Sequence, residues 1–142
     1  MICDHLIHIA PRKSVVVVSR FRAQKQLIRG YLQRMGHGDI IKVTTTTGAL
    51  GTQADIVLFS LTRNNPERNV GAAGTLQDIN VAISRAKEKL IILGNFEMML
   101  KGWTSSPIDN KYHYRSPARG LAQLIDLKYG KIIDPPAQLV VR

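Results

Sequence analysis

The sequence predicts an α/β fold in which a mostly parallel sheet is covered by helices on both faces. The first observation is that short runs rich in apolar, β-branched residues alternate along the chain with segments of helical periodicity. The second is that these runs are continuously apolar, as in strands buried on both faces. A chain of 142 residues is long enough to bury a core of its own, so we expect one main domain.

The first half of the chain predicts three strands and one helix. Residues 14–19, SVVVVS, form the first strand. A helix over 21–35 follows, because apolar residues recur there at intervals of three and four, and Gly36 and Gly38 end it. The runs DIIKVTTTT and DIVLFSL are the next two strands, and the polar turn GALGTQA separates them.

The second half predicts a fourth strand between helices. Thr75 is the expected N-cap of a helix that runs to Ala86, and KLIILG is the strand that follows. Asn95 caps a short helix, FEMMLKG. A polar loop then leads to a last helix within SPARGLAQLIDLKYG and to an irregular or strand-like tail over 131–142. The helix that begins at Thr75 has an apolar face made of Leu76, Ile79, Ile83 and Ala86.

Arg85 is the sharpest functional candidate in that helix. At 100° per residue it lies away from the apolar face, on the flank of Asp78 and Val81. From that flank a guanidinium can face a phosphate or a neighbouring domain. It can also be a solvated arginine that pairs with Asp78 or Glu88, and spacing alone favours this second interpretation.

The charge balance indicates a polyanionic partner. Twenty Lys and Arg against ten Asp and Glu give a net charge of +10, and nucleic acid is the usual partner of such a chain. A solubilising surface is the alternative, and charge alone does not separate the two. Aromatic residues make up 6% of the chain, so a stacking platform of many rings is not indicated.

The expected compartment is the cytoplasm or the nucleus. No apolar run approaches the roughly 20 residues that cross a bilayer, and the N-terminus lacks the charge order of a secretory signal. A single cysteine, Cys3, agrees with a reducing compartment. Cys3, His5 and His8 are close in sequence, but no second ligand pair has zinc-like spacing, so no metal site is predicted.

Ligands of open α/β sheets gather at the carboxyl ends of the strands, which marks the residues after each run. Arg, Thr, Ser and Asn are frequent there, and their side chains can contact phosphate, although they are also common in ordinary loops. The candidates are Ser19, Arg20, Arg22, residues 44–51, residues 60–65, Gly94 and Asn95.

Three segments, in chain order, resemble motifs of superfamily 1 helicases. NVAISRAKEKLIILGN is similar to their last motif, Asn-Val-Ala-Leu-Thr-Arg-Ala-Lys followed by an apolar strand and Gly-Asn. TTTTGALGTQADIVLFSLTRNN is similar to the preceding motif, with Phe-Gln-Gly-x-Glu-x-Asp, an apolar strand and Ser-x-x-Arg-x-Asn. VVVVSRFRAQKQLI is similar to an earlier motif with Thr-Pro-Tyr and a downstream Gln. The nearest branch contains the RNA helicase of nonsense-mediated decay and its relatives.

The resemblance implies a RecA-like three-layer fold. It covers residues 14–103, which correspond to the second RecA-like motor domain of such enzymes. Residues 1–13 are then an N-terminal extension, and residues 104–142 are a C-terminal extension with one helix.

The resemblance also implies roles for individual residues. Arg85 matches the arginine finger, which places a fixed positive charge near the γ-phosphate of ATP. Contacts to the nucleotide are implied for Gln24, Gly51, Gln53 and Arg63. Contacts to the nucleic-acid backbone are implied for Arg20, Thr45, Thr46 and Thr47.

The chain departs from the family pattern at several positions. Leu50 stands where the family has Gln, and Gln53 stands where it has Glu. A neutral amide thus replaces a ligand-contacting carboxylate, although Gln53 can still hydrogen-bond a ribose hydroxyl. Arg20 replaces the usual Pro, and Gln77 and Asp78 occupy a place where the family often has basic residues.

The phosphate-binding half of an ATP site is missing from these residues. There is no Gly-x-x-x-x-Gly-Lys-Ser/Thr motif, and no apolar strand ends in Asp-Glu to hold magnesium. We therefore expect ATP and Mg²⁺ only when the chain is joined to a first RecA-like domain, in cis or in trans, and no ATP hydrolysis by the chain alone.

Three functions remain open at this point. The first is the C-terminal motor domain of an ATP-dependent superfamily 1 helicase, with single-stranded RNA or DNA as its partner. The second is a non-catalytic nucleic-acid-binding or protein-interaction adaptor derived from such a motor domain. The third, a small-molecule nucleotide-binding domain, is the least favoured, because no glycine-rich fingerprint follows the first strand.

Overall fold

The fold is described by a computed structural model, which covers residues 2–61, 63–71, 75–105, 113–124 and 130–131. Strands alternate with helices along most of the chain. In chain order the elements are α1 (Ile2–Ile9), β1 (Val15–Ser19), α2 (Arg22–Arg34), β2 (Lys42–Thr45), a 3₁₀ turn (Thr47–Ala49), β3 (Ala54–Ser60), α3 (Leu76–Arg85), β4 (Ala86–Leu93), α4 (Phe96–Lys101), β5 (Trp103–Ser105), β6 (His113–Arg115) and α5 (Ala118–Leu124).

Four of the strands form one parallel sheet in the order β2-β1-β3-β4. Ser19 at the end of β1 lies opposite Thr45 of β2 on one side and Ser60 of β3 on the other. β3 pairs with β4 starting from Ala54 opposite Ala86. The predicted α/β fold with a mostly parallel sheet is confirmed, and β5 and β6 add a small antiparallel pair.

The sheet separates two core layers, because successive side chains of a strand point to opposite faces. Val18 and Phe59 belong to the layer that includes side chains of α3, α4 and α5. Val17 and Leu58 belong to the layer that includes side chains of α1 and α2. Helices therefore cover both faces, as the continuous apolar strands predict.

Three short elements, α1, β5 and β6, have no counterpart in the sequence prediction. α1 is an eight-residue helix, too short to be stable alone, and it is held by burying Cys3 and Leu6 against the sheet layer. β5 and β6 have three residues each and pair with each other in an antiparallel manner, with Trp103 opposite Arg115. Runs this short carry almost no periodicity. Part of the predicted last helix and the tail over 132–142 lie outside the described residues.

The predicted apolar face of α3 is partly wrong. Leu76 is 60% exposed and Ile83 is 42% exposed, whereas Asp78, Ile79 and Ala82 are the buried residues of the helix. Residues 78, 79 and 82 also share one helical face, and packing selects this face because the small Ala82 lets the helix approach the sheet. Asp78 is tolerated there because it has polar partners.

No helix in the described part of the chain is both long and apolar enough to span a bilayer. The longest is α2, with 13 residues.

Candidate functional site

The parallel sheet has two edges at which predicted site residues collect. Strands end together at the carboxyl edge, after Ser19, Thr45 and Ser60. They begin together at the amino edge, where Ala54 and Ala86 are paired. The seven residues of β3 separate the edges by roughly 20 Å.

A hydrogen-bonded bridge joins two strands at the carboxyl edge. Ser19 Oγ donates to Gln24 Oε1 at 2.5 Å, and Gln24 Nε2 donates to Ser60 Oγ at 2.8 Å. Gln24 lies in the first turn of α2 and thus spans the ends of β1 and β3. This is the point where the strand order reverses, the usual ligand position of such sheets.

Arg20 and Asp78 connect the end of β1 to the start of α3. Arg20 Nε lies 3.2 Å from Asp78 Oδ2, and Asp78 also accepts a hydrogen bond of 2.6 Å from the Thr75 hydroxyl. The Arg20 contact is an ion pair rather than an aligned hydrogen bond. Both positions depart from the helicase pattern, and the two departures contact each other. The Asp side chain that replaces a basic residue is thus balanced by the Arg that replaces Pro.

The predicted threonines are not equally accessible. Thr47 is exposed and Thr45 is half-buried, with Thr45 Oγ1 accepting a hydrogen bond of 3.1 Å from the Gly48 amide. Thr46 is only 2% exposed, and its hydroxyl has no hydrogen-bond partner among the described residues. A nucleic-acid contact by Thr46 would therefore require the segment to move.

A polar cavity of about 400 Å³ opens beside the end of β3. Asn64, Arg68, Asn95 and Glu97 contribute to its lining. Asn95 caps α4 as predicted, accepting a hydrogen bond of 3.0 Å from the Met98 amide, and its Nδ2 donates to Asn64 Oδ1 at 3.2 Å. Arg68 has a φ of 55°, a left-handed conformation that is uncommon for arginine, and nothing in the sequence pattern indicated it.

At the amino edge, Arg85 lies beside Gln53. Ala54 and Ala86 are register partners, so the residues before them, Gln53 and Arg85, emerge from neighbouring chain segments. The Arg85 guanidinium donates to the adjacent Ser84 hydroxyl through Nε at 3.3 Å and Nη2 at 3.0 Å.

Neither carboxylate that the sequence offers as a partner of Arg85 pairs with it. Asp78 pairs with Arg20, and Glu88 pairs with Lys13. In the described part of the chain, the pairing of Arg85 with Asp78 or Glu88 is therefore not seen, and Arg85 forms no other ion pair there.

Ser14 and Asp55 close the amino edge between β1 and β3. Asp55 Oδ2 accepts hydrogen bonds from the Ser14 amide and hydroxyl, both at 2.8 Å, and the Asp55 amide donates to Ser14 Oγ at 2.9 Å. The bond from the Ser14 backbone is the main reason that the pKa of Asp55 is below its usual range. The hydrogen bond with Glu88 likewise raises the pKa of Lys13.

The predicted residues do not form one site. Gln24 and Arg63 lie at the carboxyl edge with Arg20 and the threonines, and Arg63 lies over the Phe21 ring. Gly51 and Gln53 precede β3 and Arg85 precedes β4, which puts them at the other edge. Of the candidates named for the carboxyl ends, Gly51 thus lies at the amino edge instead.

The amino edge suits an anion better than a cation. Arg85 and Lys87 supply positive charge there, and Asp55 is engaged by Ser14. Among the described residues no three His, Cys, Asp or Glu side chains converge as a metal site requires. Cys3 is buried, while His5 and His8 are exposed.

A profile of an AAA domain family matches residues 1–97, which is most of the chain and includes both edges of the sheet. The chain belongs to this AAA domain family. The match also covers α1, so residues 2–9 are part of the matched region.

The similar proteins are helicases, which agrees with the superfamily 1 resemblance at the level of the family. The DNA polymerase alpha-associated DNA helicase A of Saccharomyces cerevisiae is 27% identical over 128 residues, 87% of this chain and 17% of that protein. The helicase required for RNAi-mediated heterochromatin assembly 1 of Schizosaccharomyces pombe is 34% identical over 93 residues, 64% of this chain and 9% of that protein.

A regulator of nonsense transcripts 1 homolog of Drosophila melanogaster is 26% identical over 94 residues, 63% of this chain and 8% of that protein. The chain thus spans less than a fifth of the length of each of these relatives.

Proposed function

We propose that the chain is the C-terminal motor domain of an ATP-dependent superfamily 1 helicase, with two working faces at opposite edges of its sheet. The family relationship supports the helicase part of this proposal. The division into two faces is supported by the separation of Arg85 from Gln24 and Arg63 along the strands.

The amino edge is the nucleotide face. The observation that supports this assignment is the register of Ala54 with Ala86, which brings Gln53 and Arg85 side by side. The Gln53 amide can hydrogen-bond a ribose hydroxyl, and Arg85 supplies the positive charge that phosphoryl transfer requires. Gly51, with a φ of +75°, forms the turn that leads Gln53 into β3.

The carboxyl edge is the nucleic-acid face. Arg20, Thr45 and Thr47 lie there and can contact phosphates of a single strand without reading its sequence. The roughly 20 Å between the edges exceeds the reach of one nucleotide bound at Arg85. We therefore assign Gln24 and Arg63 to the nucleic-acid face rather than to the nucleotide.

Phosphate and metal binding belong to a first motor domain in this proposal. These residues contain no phosphate loop, and the cationic amino edge does not suit Mg²⁺. When ATP closes the two domains, Arg85 approaches the phosphates while the carboxyl edge shifts along the strand.

The test is ATP hydrolysis in the presence of a separately expressed first motor domain. Arg85→Ala is expected to lower kcat by about three powers of ten, the lower end of the effect of an arginine finger. Arg85→Lys should restore only part of the rate, because a lysine cannot make the same planar contacts.

Arg29→Ala is the matched control, since Arg29 is an exposed arginine of α2, and α2 packs on the opposite face of the sheet from α3. An assembly whose ATPase rate is the same with Arg85→Ala as with Arg29→Ala would refute the finger. Absence of any stimulated hydrolysis would refute the motor function and favour the adaptor.

A further inference from the structure

Arg63 lies at the carboxyl edge between the Phe21 ring and Gly71, a position that we call its seat. Its guanidinium lies 5.4 Å from the centroid of the Phe21 ring, within the range of a cation–π contact. On another side it approaches Gly71 so closely that a Cβ atom there would lie 2.9 Å from Arg63 Cζ and 3.1 Å from Nη1. The seat therefore depends on the missing side chain of Gly71.

Hydrogen bonds fix the backbone around Gly71, which forms one side of the seat. The Gly71 amide donates to Asn69 Oδ1 at 2.8 Å, and the Gly71 carbonyl accepts from the Thr104 hydroxyl at 3.0 Å. Asn65 binds both backbone groups of Asn69. Asn65 Nδ2 donates to the Asn69 carbonyl at 2.9 Å, and the Asn69 amide donates to Asn65 Oδ1 at 3.0 Å. A side chain at Gly71 would thus displace Arg63 more readily than the backbone.

The seat leaves the donors of Arg63 available. The contact with the ring is not a hydrogen bond, so it does not use the N–H donors of Arg63. Arg63 is exposed and has no carboxylate in ion-pair range within the described residues. A planar guanidinium in a fixed position, with no ion-pair partner in the described part of the chain, suits a phosphate that it can bind through two parallel hydrogen bonds.

We propose that Arg63 binds a backbone phosphate of single-stranded nucleic acid, and that Gly71 and Phe21 are positioning residues that hold it for this contact. The choice of ligand rests on the proposed function of the carboxyl edge. The positioning follows from the ring contact and from the space at Gly71.

The test measures binding of a fluorescent single-stranded oligonucleotide of about ten nucleotides over a range of salt concentrations. Arg63→Gln should bind roughly tenfold more weakly. It should also reduce the slope of log K against log salt by about 0.7, the contribution of one phosphate contact on a single strand. Gly71→Ala should reproduce both effects.

Gly36→Ala is the matched control for Gly71→Ala. Gly36 has a φ of +75° and Gly71 has a φ of +56°, so alanine strains the backbone at both, but nothing lies within 4 Å of a Cβ at Gly36. Gly36→Ala should leave the salt slope unchanged. The double variant Arg63→Gln, Gly71→Ala should bind like Arg63→Gln, because Gly71 acts through Arg63.

Other outcomes overturn the inference. A wild-type chain that does not bind the oligonucleotide refutes both this inference and the nucleic-acid face. Binding with an unchanged slope in Arg63→Gln refutes the phosphate contact alone. A wild-type slope in Gly71→Ala refutes the positioning. If Gly71→Ala fails to fold, Phe21→Leu tests the contact on the other side of Arg63. An affinity of Phe21→Leu equal to that of wild type would then refute the positioning of Arg63.

Discussion

At the scale of single residues, the Thr46 hydroxyl is the most anomalous group. It is buried at the end of β2 and has no hydrogen-bond partner in the part of the chain that the structure describes. A buried unpaired hydroxyl costs about 1 to 3 kcal/mol of stability. Thr46→Val keeps the shape and removes that group, so we expect the free energy of unfolding to rise by about 1 kcal/mol in urea titrations.

Thr45→Val is the control for this change. Thr45 Oγ1 accepts a hydrogen bond from the Gly48 amide, so the same substitution one residue earlier should lower the free energy of unfolding by about 1 kcal/mol. A Thr46→Val variant that is destabilised as much as Thr45→Val would mean that the Thr46 hydroxyl has a partner in solution.

The sequence could predict which residues are candidates for a functional role, but not which residues contact each other. The resemblance singled out Arg20 and Asp78 as departures from the helicase pattern, but their contact depends on how α3 packs across the sheet. Likewise Arg85 was recognised from its motif, while its freedom from Asp78 and Glu88 depends on Arg20 and Lys13, which are remote in sequence. Pairings between distant segments carry no signal in helical spacing.

At the scale of elements, the amino ends of β1 and β3 are joined by Ser14 and Asp55. The hydrogen bonds from Ser14 lower the pKa of Asp55 in the folded state. A carboxyl group of this kind adds stability above its unfolded pKa of about 3.9, and this stability is lost as the pH falls through the folded pKa. The free energy of unfolding should therefore fall as acid is added from about pH 5 to about pH 2.

Asp55→Asn isolates this contribution from that of other carboxyl groups. The variant should be less stable than wild type near neutral pH, and the difference should shrink on acidification, as followed by chemical unfolding at each pH. Asp39→Asn is the control, because Asp39 is an exposed aspartate in the loop before β2. A stability difference between Asp55→Asn and wild type that is constant over this pH range would contradict the assignment.

Elements with long or continuous patterns could be predicted, and those that depend on their neighbours could not. β1, β3 and α2 follow from apolar runs and helical spacing, and Thr75 and Asn95 cap their helices as expected. The buried face of α3 was misassigned because hydrophobicity favours Leu76 and Ile83, whereas packing against the sheet buries Asp78 and Ala82. The partner that compensates Asp78 is Arg20, which is remote in sequence.

At the scale of the whole molecule, exposed positive side chains lie at both edges of the sheet. Arg22 and Arg63 lie at the carboxyl edge, whereas Lys87 and Lys89 lie on the exposed first half of β4. β4 is an outer strand of the sheet, and charges on an outer strand also prevent pairing with other chains. Composition predicted a polyanion partner, but only the fold tells which cations share a face.

The two faces predict different effects of equal losses of charge. Arg22→Gln combined with Arg63→Gln should reduce the salt slope of single-strand binding by about 1.4, since each phosphate contact contributes about 0.7. Lys87→Gln combined with Lys89→Gln removes the same charge and should leave that slope unchanged, because those lysines do not lie on the face that we assign to the single-stranded nucleic acid. Fluorescence anisotropy titrations from about 50 to about 200 mM salt would measure both slopes. Equal slopes for the two double variants would mean that binding follows net charge alone, and the separation of a nucleic-acid face from a nucleotide face would then be wrong.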